Sequence, residues 1–216
     1  MALTRAIWVA AYAVSMALVE AAVVVYLRAL RPVEGPLAVL RTVLPDRIVA
    51  VEIAREAATL VMLLTVAVLS APDRWRRFLY FSFAFGLWDI FYYVWLKVFI
   101  GWPESLLTWD VLFLIPMPWV GPVLAPVLVS VCLVGGSLWL LAKDVRALPW
   151  YTWALALIGA GLILATFTLD ATRALETGEP APFRWVMFGV GIGLAVVGLA
   201  LGSRRGSTPR QPSQVS

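Results

Sequence analysis

The chain alternates between long apolar runs and shorter polar connections. At roughly 20 residues each, six of the runs are long enough for a helix to cross a hydrocarbon core of about 30 Å. They cover residues 6–27, 48–69, 78–100, 120–142, 150–169 and 185–201. The pattern predicts an all-α protein, a single transmembrane bundle of six helices over residues 1–201.

Two segments depart from this pattern. The apolar stretch 106–115 is too short to span, and Pro116, Pro118, Pro122 and Pro126 follow it, so it cannot be one continuous helix. We expect residues 105–119 to form a short re-entrant or interfacial element between the third and fourth helices. The end of the chain, residues 202–216, is rich in Ser, Pro, Gln and Arg without periodicity, and predicts a disordered cytoplasmic tail.

Composition supports a membrane protein and removes several classes of chemistry. The 216 residues are 62% hydrophobic and 14% charged, more apolar surface than a water-soluble domain can bury. The net charge is +4, but the basic residues form no stripe, so nucleic acid is not an expected partner. The chain contains no histidine. It therefore supplies no imidazole ligand for haem or zinc and no Ser-His-Asp catalytic triad. No cofactor is expected.

The distribution of basic residues predicts the orientation. The predicted face that carries both termini has nine basic residues against two acids, whereas the other face has six basic residues and seven acids. Under the positive-inside rule, this places both termini in the cytoplasm of a multi-pass cell-membrane protein.

Six charged side chains lie inside the predicted spans at similar depths. They are Glu20 on the first helix, Glu52, Arg55 and Glu56 on the second, and Asp89 and Lys97 on the third. Because these helices are antiparallel, a rise of 1.5 Å per residue places all six between a few and roughly 16 Å from one membrane surface. The charges are therefore predicted to share the half of the bilayer that lies away from the termini.

Helical spacing predicts which helix face carries the charges. Glu52, Arg55 and Glu56 share one face of the second helix, and Asp89, Tyr93 and Lys97 share one face of the third. A charge at mid-bilayer costs about 2.5 to 3.5 kcal/mol on insertion scales, so such residues normally turn inward and pair. We expect Arg55 to pair with Glu52 and with Glu20 or Asp89. The predicted ligand-binding or ion-binding cluster is Glu20, Glu52, Arg55, Glu56, Asp89, Tyr93 and Lys97.

Other interpretations of these residues remain open. Residues 52–56 would lie among the lipid head groups if the second helix entered the membrane late, although residues 57–69 then span only about 20 Å. The flexible stem of Lys97 allows its ammonium group to reach the head groups. The whole cluster is also compatible with a structural network of ion pairs that binds no ligand.

The charge balance within the predicted spans points to a bound cation or to protonated carboxyl groups. Four acids against two bases leave a formal charge of −2 where solvation is poor. An oxygen-ligated divalent ion at Glu52, Glu56 and Asp89 is one way to balance it. No catalytic residue can be assigned.

Tryptophans recur every seven residues, at positions 88, 95, 102 and 109. Such a series is typical of an aromatic belt at the membrane interface. The alternative is a lid over the charged cluster, formed by Trp102, Trp109, Asp110 and Trp119.

Three functional classes fit these features. The sequence favours a protein that binds or transports a cation or an amphipathic substrate. The alternatives are an accessory subunit whose charges pair with a partner's helices, and a cofactor-poor intramembrane enzyme at the outer leaflet. The last three spans do not repeat the charges of the first three, and no Asp-x-x-Asp pair marks a diphosphate site. Expected partners are the lipid bilayer, a small cationic or lipidic ligand, and membrane subunits or further copies of the chain.

Overall fold

The described part of the protein is a bundle of long helices with a β-hairpin. The computed structural model describes residues 2–30, 46–145, 147–177 and 179–206. In chain order the elements are α1 (Ala2–Leu30), α2 (Asp46–Ser70), α3 (Arg74–Ile100), β1 (Trp109–Phe113), β2 (Trp119–Pro122), α4 (Leu124–Ala142), α5 (Trp150–Thr168), α6 (Ala171–Thr177) and α7 (Trp185–Gly206). Within the described ranges, six helices are long and apolar enough to cross a membrane, namely α1 to α5 and α7. The predicted all-α bundle of six spans is confirmed.

Two element boundaries differ from the prediction. Helix α4 begins at Leu124, because the residues just before it, Trp119–Pro122, pair with β1 as a strand. Pro126 then lies in the first turn of α4, where its missing N–H removes no helical hydrogen bond. Helix α7 continues to Gly206, past the predicted start of the tail at Gly202. The remaining tail, residues 207–216, lies outside the described residues.

The predicted re-entrant or interfacial element is an antiparallel hairpin. Trp109 pairs with Pro122 at its open end, and Phe113 pairs with Trp119 next to the turn. The Phe113 ring packs against Phe85, with ring centroids 6.2 Å apart. Phe85 lies fifteen residues before the end of α3, or about 22 Å along the helix axis, so the turn of the hairpin reaches deep into the bundle.

The hairpin lies between two groups of helices. On one side are α1 to α4, whose shared core includes Val9, Leu63 and Tyr80. On the other side α5 packs against α7 so closely that a Cβ on Gly159 would lie 2.5 Å from the Gly191 carbonyl oxygen. Strand β2 faces this second group, since the Trp119 ring stacks on Phe167 of α5 with centroids 6.3 Å apart. The hairpin therefore fills the space between the two groups.

Helix α1 approaches α3 through a face of small residues. Ala13, Ala17 and Ala21 are fully buried, and their spacing of four residues places them on one side of α1. Small residues let transmembrane helices approach closely without a loss of packing. The close approach brings the next polar residue of that face, Glu20, into the interior of the bundle, where its side chain is 3% exposed.

A glycine sets the distance between α3 and α4. A Cβ on Gly86 would lie 2.7 Å from the Ser130 carbonyl oxygen and 3.0 Å from a methyl carbon of Val134. The neighbour of the glycine is backbone, which cannot rotate away. Any side chain at position 86 therefore forces the two helices apart.

We predict that Gly86→Ala lowers the free energy of unfolding by about 1 to 3 kcal/mol, the usual cost of overpacking. Thermal unfolding of the purified protein in detergent measures the effect as a lower Tm. The matched control is Gly135→Ala on α4, where an added Cβ meets nothing within 4 Å. Equal Tm values for the two variants would contradict the proposed close contact.

Candidate functional site

A cavity of about 60 Å³ lies between the first three helices and the hairpin. Its lining consists of Glu20, Arg55, Glu56, Thr59, Trp88, Asp89, Tyr92, Tyr93 and the hairpin residues Val111, Leu112 and Phe113. Glu20 lies ten residues before the end of α1, about 15 Å along the helix axis. The cavity is therefore inside the bundle, in the half on the side of the hairpin's open end.

Arg55 links two carboxylates on different helices. Its guanidinium forms an ion pair with the buried Glu20 carboxylate and donates to Glu52 Oε2 from Nε at 2.9 Å and from Nη2 at 2.7 Å. The Thr59 hydroxyl, one turn further along α2, also donates to Glu20. The expected pairing of Arg55 with Glu20 and Glu52 is present, and it joins α1 to α2. Glu52 itself does not line the cavity.

The Glu56 carboxylate holds the turn of the hairpin. The Leu114 N–H donates to both of its oxygens, at 3.1 and 3.0 Å. Leu114 follows the last residue of β1, so its N–H has no place in the strand ladder. A charged acceptor on α2 satisfies this donor, and in doing so fixes the hairpin against the cavity.

Two further carboxylates are held by hydroxyl groups. Asp89 accepts a hydrogen bond of 2.7 Å from Ser130 on α4, and Asp110 accepts one of 3.1 Å from the Tyr93 hydroxyl. Burial raises the pKa of Asp110 from 3.8 to about 6, against the opposing effects of Arg28 and of the hydrogen bonds from Tyr93 and the Val111 N–H. Asp110 thus extends the predicted cluster toward the open end of the hairpin.

Arg28 and Trp102 lie beside Asp110 and Tyr93. The Arg28 guanidinium carbon is 4.1 Å from the centroid of the Trp102 ring, within the range of a cation–π contact. The Trp102 ring in turn packs against Tyr93 at 6.1 Å between centroids. Of the predicted lid, Trp102 and Asp110 are therefore close to the cluster.

The other two lid residues do not cover the charges. Trp109 packs edge-on against Phe183, and Trp119 stacks on Phe167, so both rings face the second group of helices. Side chains alternate along a strand, so Trp109 and Asp110 point to opposite sides of β1. Val111, Leu112 and Phe113 close the cavity instead.

Lys97 also lies apart from the cluster. Its ammonium group donates to the carbonyl oxygens of Gly101 at 2.9 Å and Pro103 at 2.8 Å. Carbonyl groups at the end of a helix lack helical partners, and a cation there interacts favourably with the helix dipole. Lys97 stabilises the end of α3 and lines no part of the cavity.

Sequence reasoning missed several residues of the site. A hydroxyl side chain in a helix often bonds to a backbone carbonyl of its own helix, as Thr166 and Thr168 do, but the Ser130 hydroxyl donates to Asp89. Trp88 and Tyr92 line the cavity beside the predicted residues Asp89 and Tyr93. In the sequence, Trp88 is distinguished by its place in the series of tryptophans that recur every seven residues.

The suggested divalent site is not formed by Glu52, Glu56 and Asp89. These side chains bond to Arg55, to the Leu114 N–H and to Ser130, respectively. In the part of the chain that the structure describes, no group of three or more His, Cys, Asp or Glu residues is arranged to hold a metal ion.

The ion pair between Arg55 and Glu20 generates a stability prediction. Arg55→Gln leaves the buried Glu20 carboxylate without its cation, and we expect a loss of about 3 kcal/mol in unfolding free energy, the lower end of the range for a broken buried pair. The lower end applies because 26% of the Arg55 side chain is exposed. Thermal unfolding in detergent measures the loss.

The double variant Glu20→Gln/Arg55→Gln removes both charges and should recover part of the lost Tm. A double variant no more stable than Arg55→Gln alone would mean that Glu20 does not depend on Arg55.

The chain is a multi-pass membrane protein whose buried carboxylates converge from separate helices on one cavity. Comparison of the chain with protein-family models, curated proteins and solved structures found no match. The chemistry of the cavity is therefore interpreted from its own residues.

Proposed function

We propose that this protein binds a small monovalent cation in the cavity, in exchange for protons on the cavity carboxyl groups. Candidates are an alkali ion or an ammonium group. The observation that carries the proposal is the lining itself: Glu20, Glu56 and Asp89 come from three different helices, and Arg55 is the one basic side chain among the described residues that line the cavity.

Charge supports a cationic ligand. Among the described residues around the cavity, five carboxyl groups belong to Glu20, Glu52, Glu56, Asp89 and Asp110, against the guanidinium groups of Arg28 and Arg55. A group of charges this unbalanced, with a buried Glu20 and Asp89, takes up protons or a cation to approach neutrality. The inward direction of these two side chains favours a ligand site over a surface for a partner subunit.

Size and lining limit the class of ligand. A cavity of about 60 Å³ has room for a few water molecules, or for a small cation with part of its hydration shell. An acyl chain or a sugar is too large, so the amphipathic substrate is the weaker of the two predicted ligands. The rings of Trp88, Tyr92 and Tyr93 are suited to an ammonium group, because aromatic faces attract cations.

The polar atoms of the lining favour a hydrated monovalent ion. The buried Trp88 N–H has no acceptor among the described residues, and a water molecule in the shell of the ion would supply one. A divalent ion would need several free carboxylate oxygens, whereas at least one oxygen of each of Glu20, Glu56 and Asp89 already bonds to a protein donor. The Glu56 carboxylate also links the ion to the hairpin, since a cation there competes with the Leu114 N–H.

The test is the thermal stability of the purified protein in detergent, with NaCl, KCl or NH4Cl compared against choline chloride at equal ionic strength. At least one small cation should raise the Tm by roughly 5 to 10 °C near saturation, the shift expected for a ligand at about 100 times its Kd. Because protons compete, the salt concentration needed should increase as the pH falls from about 8 to about 5.5.

Glu56→Gln and Asp89→Asn should each abolish the rise in Tm caused by the cation. Glu56→Gln keeps an oxygen that accepts from the Leu114 N–H, and Asp89→Asn keeps one that accepts from the Ser130 hydroxyl. Glu176→Gln, an exposed position on α6, is the matched control and should respond like the wild type. The same Tm for the wild type in every salt, or a cation-dependent rise in Tm that persists in these two variants, would exclude the site.

We propose further that both termini lie in the cytoplasm of a cell-membrane protein, which directs the open end of the hairpin outward. The excess of basic residues at the face with the termini supports this orientation. In a Cys132→Ser background, a cysteine at Thr108 should react with a membrane-impermeant maleimide on intact cells. A cysteine at Ser207 should react only after lysis. The reverse pattern would overturn the orientation.

A further inference from the structure

A second cleft lies at the opposite end of the bundle. It has a volume of about 640 Å³ and opens between the start of α1 and the connection from α2 to α3. Its walls include the apolar side chains of Trp8, Val66 and Leu69 and the basic side chains of Arg5 and Arg77. No acidic residue is among the described residues that line it.

Backbone carbonyl groups hold both arginines at the cleft. Arg5 Nη1 donates to the Ser70 carbonyl oxygen at 3.1 Å, and Arg77 Nε donates to the Ala71 carbonyl oxygen at 2.8 Å. These carbonyls belong to the end of α2 and the residue after it, where helical partners are missing. A guanidinium has five N–H groups, so each arginine keeps donors for a further acceptor.

The apolar walls lie next to these donors. Trp8 is 74% exposed and lies about 9 Å from the start of α1, and Leu69 is 81% exposed and lies next to the last residue of α2. A tryptophan at this depth is typical of the boundary between hydrocarbon and head groups. The cleft therefore offers hydrogen-bond donors with positive charge at the membrane surface and an apolar face directly below them.

We propose that this cleft binds an anionic phospholipid of the leaflet on the side of the termini. The phosphate accepts hydrogen bonds from Arg5 and Arg77, and an acyl chain lies against Trp8, Val66 and Leu69. Arginine suits this contact because its planar group donates two parallel bonds to a phosphate. Basic pockets between transmembrane helices are known to bind anionic head groups. The proposal is independent of the cation cavity.

The simpler role of the two arginines is to cap the end of α2. Capping alone would lower the stability of an Arg5 or Arg77 variant equally in every lipid. A lipid site adds a dependence on the head group, and this dependence is the property to measure.

The experiment is native mass spectrometry of the delipidated full chain, titrated with phosphatidylglycerol or phosphatidylcholine of the same acyl chains. The wild type should bind one phosphatidylglycerol molecule with several-fold preference. Arg5→Gln and Arg77→Gln should each weaken that binding by about fivefold, since each basic residue near an anionic lipid contributes on that order. The preference should largely disappear in the double variant.

Arg74→Gln is the matched control, because Arg74 is exposed on the same turn of α3 as Arg77 but does not line the cleft. Arg5→Lys and Arg77→Lys keep the charge, so they should retain more of the preference than the glutamine variants even if capping is weakened. Equal binding of the two lipids by the wild type would overturn the proposal. So would an unchanged preference in the double variant, or full displacement of phosphatidylglycerol by millimolar inorganic phosphate.

Discussion

The bond between Arg55 and Glu20 is the interaction on which the polar interior depends. A lone carboxylate inside a transmembrane bundle is costly, and only a partner at the same depth makes its burial tolerable. Arg55 provides that partner from α2, and the Thr59 hydroxyl adds a second donor one turn away. With Glu20 compensated in this way, the small face of α1 can pack against α3 along its length.

The hairpin closes the part of the cavity that the helices leave open. Helices α1 to α3 surround the cavity on its sides. The hairpin covers the side that these helices leave open, so no further membrane-spanning helix is needed there. Backbone at membrane depth must have its N–H and C=O groups satisfied by protein. The strand pairing satisfies part of them, and Glu56 accepts from the Leu114 N–H, which lies beyond the ladder. The same carboxylate thus serves the fold and the proposed ligand.

The sequence predicted most of the helices and part of the site. Hydrophobic length alone locates the spans, and equal depth on antiparallel helices brings Glu20 and Arg55 together. The hairpin could not be predicted, because a short apolar run between prolines fits a strand, a broken helix or a loop equally well. Ser130 could not be placed either, since a serine in a helix can bond to its own backbone or across to a neighbour. Trp109 and Trp119 were assigned to the lid from their place in the aromatic, proline-broken segment, but their rings pack against Phe183 and Phe167 instead.

Because the hairpin lies between the two groups of helices, its packing depends on the order in which the chain is synthesised. Strand β1 packs on α3, which precedes the hairpin in the chain. Strand β2 instead contacts residues that follow the hairpin, since Trp119 and Gly121 pack against Phe167 and Phe183. Synthesis runs from the N-terminus, and early segments fold before later ones exist. The wall of the cavity therefore reaches its final packing only after helices α5 and α7 have entered the membrane. Those two helices contribute none of the described residues that line the cavity, and their contribution is to finish a site whose lining residues were all synthesised earlier.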